Sequence, residues 1–261
     1  MDFKRSLLTP VLRNVKIRVI VLLLLFCSFE SFSQSNNYVG FTVGGNVSSV
    51  FFNHLAFRTN IRTGLQPGVQ FGATFMHFAP LKTGILNTGL QLSINYTEKG
   101  YVQEFPLTNT ANFSSRYRYI EVPFSSIIYL GRKKTKIFIN PGIYGEFLLS
   151  SELTNVPADD DAESSFINVG QFDVFPFDPD NDITMGIGGR LEAGIMRDFN
   201  FGTIQLLGNF SYTITNTIDF QSRSSGIPDT SNNFSIGASV GYFFGLGKRD
   251  KTPELTPDGS N

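Results

Sequence analysis

Three stretches of the chain alternate apolar and polar side chains almost without error, the pattern of a β-strand whose two faces meet different surroundings. In 85–96, Leu86, Thr88, Leu90, Leu92, Ile94 and Tyr96 share one face, and Asn87, Gly89, Gln91, Ser93 and Asn95 share the other. In 203–215, Ile204, Leu206, Phe210, Tyr212 and Ile214 oppose Gln205, Asn209, Ser211 and Thr213. The last stretch sets Phe234, Ile236, Ala238, Val240 and Tyr242 against Asn233, Ser235, Gly237, Ser239 and Gly241. Five further segments, 38–48, 68–77, 116–130, 136–150 and 183–196, follow the same rule with slips. Pro123 and Pro141 fall inside two of them. Proline cannot donate to a ladder, so bulges are expected there.

Between these eight segments the connections cover about 49–67, 78–84, 97–115, 131–135, 151–182, 197–202 and 216–232, and long and short ones alternate throughout. Antiparallel strands with tight turns at one end and long loops at the other predict an all-β fold, an eight-stranded antiparallel up-and-down transmembrane β-barrel. An even strand number returns both termini to the periplasmic side. A soluble barrel carrying an apolar ligand would alternate equally well, but it would show Lys and Glu to water along its strands. Here the polar faces are mostly Gly, Ser, Thr, Asn and Gln, which suit a narrow filled lumen. Charges gather in connections instead, as in Arg132-Lys133-Lys134. Aromatics near strand ends (Tyr38, Phe78, Tyr129, Phe199, Phe201, Phe243) are expected to form the periplasmic girdle of the barrel.

Residues 1–33 read as a secretory signal peptide. A basic stretch (Lys4, Arg5, Arg13, Lys16, Arg18) precedes the apolar run 19–27, and Ser31 and Ser33 place small residues at the cleavage positions. The run is shorter than the roughly 18 residues of a spanning helix, and Leu24-Leu25-Phe26 lacks the small residues that precede a lipidated cysteine. The whole chain carries 21 basic and 22 acidic residues. Removing the five basic residues named, with Asp2 and Glu30, leaves 16 against 20, a net of −4. This balance argues against a nucleic-acid partner, which wants a basic face. Cys27 is the only cysteine of the chain, so neither a disulfide framework nor a cysteine-rich zinc site is available. The expected organisation is signal peptide 1–33, barrel 34–246 and a polar periplasmic tail 247–261.

Arg118-Tyr119-Ile120-Glu121-Val122-Pro123-Phe124, Pro141-Gly142-Ile143-Tyr144-Gly145 and Gly241-Tyr242-Phe243-Phe244 resemble motifs of the PorT-like outer-membrane barrels of Bacteroidetes. The resemblance covers about residues 34–246. It implies an eight-stranded barrel, and the family's namesake is linked to type IX secretion. The chain departs from that pattern after residue 246, where a polar tail follows the terminal aromatics.

Within the strands, parity sends Glu121, Glu146, Arg190 and Glu192 to the lumen, together with Tyr117, Tyr119 and Tyr144. Buried charges need partners, so these four are expected to form a structural charge network rather than a catalytic carboxylate pair. With Arg190 the only lumenal cation counted among three carboxylates, at least one glutamate is expected to be protonated or bound to water. The segment Asp178-Pro179-Asp180-Asn181-Asp182 begins like a calcium loop, but Ile183 stands where such a loop needs Gly and Gly189 where it needs a bidentate Glu. A solvated acidic loop is the expectation there, together with Asp159-Asp160-Asp161. The only histidines, His54 and His77, fall at opposite ends of the barrel and cannot share a catalytic triad. No cofactor, metal or catalytic residue is therefore expected.

The long connections mix aromatics with polar groups: Phe51, Phe52, Phe57, Tyr101, Phe105, Phe113, Phe166, Phe172, Phe175, Phe177 and Phe220. They are read as a recognition surface or as loops packed on themselves. The expectation is a non-enzymatic structural or binding module of the outer membrane. Its partners would be membrane lipid, lipopolysaccharide and envelope proteins, including a secretion complex of the type IX kind. An enzyme acting on envelope lipid or peptide is the rival reading.

Overall fold

Pairing of alternating strands needs a partner on both edges, and here the chain finds one by closing on itself. The computed structural model describes residues 36–53, 63–79, 86–104, 112–131, 134–154, 167–169, 172–174, 182–217 and 230–246. Strands β1 (Asn36–Asn53), β2 (Thr63–Phe78), β3 (Leu86–Gln103), β4 (Phe113–Leu130) and β5 (Thr135–Thr154) run antiparallel to their chain neighbours. A short hairpin, β6 (Ile167–Val169) with β7 (Phe172–Val174), lies within the next connection. Strands β8 (Met185–Phe199), β9 (Gly202–Thr213) and β10 (Thr230–Leu246) complete the set, and β10 pairs with β1 to close an eight-stranded barrel. The leader 1–33, the tail 247–261, His54, Asp159 to Asp161 and Asp178 to Asn181 lie outside the described residues, as do Phe57, Phe105, Phe166, Phe175, Phe177 and Phe220.

The register fixes the shape. A line of partners runs from Tyr38 through Met76, Gln91, Ser125, Gly142, Arg190, Ser211 and Ser235 to Ser48. It returns to β1 ten residues from where it left. With strands about 4.8 Å apart and a rise of about 3.3 Å per residue, that stagger tilts the strands by about 40° and leaves an interior that side chains fill.

Parity holds along the barrel strands, with a one-residue slip in β5 at the bulge opposite Arg118/Tyr119. Phe41, Val43, Ile94, Ile143, Ile187 and Ile236 face outward and are more than half exposed. In water such a continuous apolar belt would be an anomaly; in lipid it is the solvated surface. Gln70, Asn95, Asn140, Gln205 and Asn209 point inward and are buried.

Three expectations need correction. The long connections are shorter than the alternation suggested, because the strands continue past the apolar stretches on the loop side. β3 reaches Gln103 and β4 begins at Phe113, and the added residues carry charge on their outer face, which hid the strand pattern. Tyr101 and Phe113, read as loop aromatics, are fully buried in the lumen. The prolines do not create bulges. The pairing of β3 with β4 skips positions at Pro123, and that of β4 with β5 skips positions at Pro141, yet the register is the same on both sides of each gap. The missing N–H costs ladder bonds without adding a residue. The bulges lie instead between Leu65 and Gln70 and at Arg118/Tyr119.

The third correction concerns the aromatics near the turn end. Phe199 and Phe201 stack outside the barrel with Tyr242, and Phe244 packs edge-on against Tyr242, as a girdle requires. Phe78, Tyr129 and Phe243 point inward. With Met76, Ile127, Phe138, Met196 and Leu207 they form a buried apolar plug, against which Tyr38 packs. A second buried cluster, Val50, Tyr101, Phe113, Tyr117 and Tyr119, fills the loop end of the lumen.

Candidate functional site

Between the two apolar plugs the strand periodicity delivers polar side chains from every barrel strand, and among them five charges. Glu121 on β4 and Glu146 on β5 pair directly across the ladder. Arg190 and Glu192 follow each other on the inner face of β8. Lys99 on β3, absent from the sequence-based set, completes the group and is 1% exposed.

The five form an alternating chain. Lys99 Nζ lies 2.8 Å from Glu146 Oε2 and 2.6 Å from Glu121 Oε1. Arg190 Nη1 lies 3.0 Å from Glu121 Oε2, and its Nε lies 2.8 Å from Glu192 Oε1. The order Glu146, Lys99, Glu121, Arg190, Glu192 thus places every charge beside opposite charges. This disposes of the expectation that Arg190 stands alone against three carboxylates. The apolar alternation of β3 stops at Tyr96 and so does not reach Lys99, although Thr97 and Lys99 continue the inward phase of Gln91, Ser93 and Asn95.

Neutral groups take up the rest of the valence. Lys99 donates to Glu146 Oε2 and also, at 3.3 Å, to Tyr144 Oη. Its charge sits 4.7 Å from the Tyr144 ring centre and 5.7 Å from that of Tyr119, a favourable placement over aromatic faces. Thr213 on β9 donates to Glu146 Oε1 at 3.1 Å. Gln91 and Asn140 donate to Glu192 Oε2 at 3.0 and 3.3 Å. Five of the six carboxylate oxygens accept a hydrogen bond, while Glu121 Oε1 meets Lys99 only as an ion-pair partner, and the cluster ties together β3, β4, β5, β8 and β9. All four predicted site residues are in it; Lys99, Gln91, Asn140, Tyr144 and Thr213 are the additions.

The charge chain lies between the two buried apolar clusters. A catalytic carboxylate needs an approach for substrate, and these are enclosed between apolar plugs. His77 lies near the turn end, where its Nδ1 is 2.8 Å from Asn37 Oδ1. Among the described residues no group of three or more His, Cys, Asp or Glu side chains is placed to hold a metal ion.

Outside the barrel, just above the apolar belt, a second set of charges runs across three strands. Arg118 on β4 bonds Glu152 on β5 at 2.7 Å and approaches Glu98 on β3 at 3.6 Å. Tyr96 donates to Glu98 at 3.1 Å. This ladder marks where the outer face stops being apolar.

Several solved structures are similar in fold. The chain is 11% identical to Neisserial surface protein A, covering 80% of this chain and 97% of that one, with a TM-score of 0.37. It is 10% identical to Ail, the attachment invasion locus protein of Yersinia pestis, covering 80% and 99%, with a TM-score of 0.34. The outer membrane enzyme PagL is also similar, at 12% identity, 78% and 99% coverage and a TM-score of 0.29. No curated protein matches the sequence. The model of the outer membrane protein beta-barrel domain matches residues 32–219. With its closed ring of eight strands and its outward apolar belt, the chain belongs to that family and resides in the outer membrane.

Proposed function

We propose that this barrel is a non-enzymatic structural or binding module of the cell envelope, related to the PorT-like barrels and working beside other envelope proteins, a type IX secretion complex among them. The observation that carries the reading is the closure of the lumen. A charge chain of alternating sign is sealed between two buried apolar clusters, which favours a rigid scaffold over a pore or an active site. What the scaffold offers is its loop end. There β3, β4 and β5 extend past the apolar belt and carry Glu98, Arg116, Arg118 and Glu152 on their outer faces. Membrane lipid would cover the belt, and the sugars and phosphates of lipopolysaccharide would meet the charge ladder.

The test is photo-crosslinking in native outer membranes from probes placed at Ser114 and Thr154, both at the loop-end limits of their strands. Covalent capture of a specific envelope protein from those sites is expected. Capture of lipid alone, with the barrel folded, would reduce the role to a structural one. Hydrolysis of an envelope lipid by the purified barrel would overturn the non-enzymatic reading.

A further inference from the structure

Beside the Arg190–Glu192 end of the charge chain lies a cavity lined by Thr42, Gln70, Thr74, Ser93, Asn95 and Arg190, among others. It leaves about 10 Å³ for the centre of a water molecule, close to the roughly 10–15 Å³ at which a polar cavity first holds one. Most of its polar lining is already committed. The hydroxyls of Thr74 and Ser93 bond each other at 2.9 Å. The Gln70 amide donates to Asn209 Oδ1 and Ser239 Oγ, both at 2.8 Å. Glu192 is occupied by Arg190, Gln91 and Asn140.

Asn95 is the exception. It is 7% exposed, and its Oδ1 is buried with no protein donor. A buried acceptor left in that state costs about 1–3 kcal/mol. The oxygen is packed toward Gly72 on β2, where an added Cβ would collide with it, so glycine is what leaves it room. Across the same cavity Arg190 spends two of its N–H donors on Glu192 and Glu121, out of the five that a guanidinium carries. The cavity thus holds a cationic donor and an unanswered acceptor around a space of one water.

We propose that this cavity is a binding site for a single long-lived water, which accepts from the Arg190 guanidinium and donates to Asn95 Oδ1. The water ties Asn95 on β3 to the Arg190 end of the charge chain on β8. Because apolar plugs close both ends of the lumen, it exchanges slowly with bulk solvent. Asn95 is in this sense a positioning residue for the water.

The barrel in lipid nanodiscs, labelled with ¹⁵N-arginine, provides the test. Cross-relaxation between water and the Arg190 guanidinium protons, assigned by its disappearance in Arg190→Lys, is expected with the sign of a slowly tumbling bound water. Asn95→Leu is expected to abolish that cross-peak. If Asn95→Leu does not fold, Asn95→Ala is read in its place. A wild-type spectrum without the cross-peak would overturn the site, and so would a cross-peak of unchanged intensity in the folded variant.

Discussion

Lys99 is the residue on which the lumen depends most, since it alone touches both Glu121 and Glu146 and is itself fully buried. Removing one partner of a buried ion pair leaves the other charge uncompensated, which costs about 3–5 kcal/mol. Lys99→Met keeps much of the side-chain volume and deletes the charge, so it isolates that effect. Urea unfolding from lipid vesicles should show a loss of about that size, and a loss below about 1 kcal/mol would mean that the chain does not act as a unit. Arg190→Ala is expected to lower the unfolding temperature as well, since it frees Glu192 and strips one cation from Glu121; an unchanged melt would remove the network. The four predicted lumenal charges were legible because strand parity needs only a counting rule. Lys99 obeys the same rule, but Thr97-Glu98-Lys99-Gly100 reads as a polar loop when apolar alternation is the sole guide. Charge balance is the signal that does reach it: three buried glutamates against one arginine call for another cation.

At the scale of the strand and its turns, glycine does two separate jobs. In the short connection after β4, Gly131 adopts φ of +118°, a conformation that costs residues with a side chain, and an added Cβ would meet the carbonyl of Thr135. Gly131→Ala should destabilise the barrel by about 1–2 kcal/mol, read as a shift of the urea midpoint with an unchanged slope. A midpoint within error of wild type would show that the turn relaxes freely. Inside the lumen, glycine instead makes space for large neighbours. Gly188 lies under the Tyr144 ring and Gly40 under Phe243, where a Cβ would clash. The abundance of glycine on the inner faces was visible in the sequence; its pairing with particular aromatics was not, because that pairing depends on the ten-residue stagger of the ring. Phase along the strand explains the misplaced girdle. Phe78, Tyr129 and Phe243 sit near strand ends as predicted, but their phase along each strand turns them inward, and proximity to an end says nothing about phase.

For the whole molecule the solvent is lipid over one band and water beyond it, and the two edges of that band are set by particular side chains. On the outer face of β5 the apolar positions run from Ile137 to Leu149, and past the bulge opposite Arg118/Tyr119 come Ser150 and Glu152, which bond Arg118. Twelve residues at about 3.3 Å each, tilted by about 40°, span roughly 30 Å, close to the hydrocarbon thickness of a bilayer. Leu92 lies near the middle of this band on β3 and is 46% exposed on the outer face. Thr154 ends β5 beyond the charge ladder. An arginine at the bilayer midplane of a barrel costs about 2–4 kcal/mol and near the interface about 0–1. Leu92→Arg should therefore lose several kcal/mol in folding equilibria measured into lipid vesicles, whereas Thr154→Arg should lose almost none. Equal losses at the two sites would mean that the charge ladder of Glu98, Arg118 and Glu152 does not mark the upper edge of the membrane. The loop-end strand extensions would then lie in lipid, and the surface proposed to meet other envelope proteins would have to be sought elsewhere on the barrel.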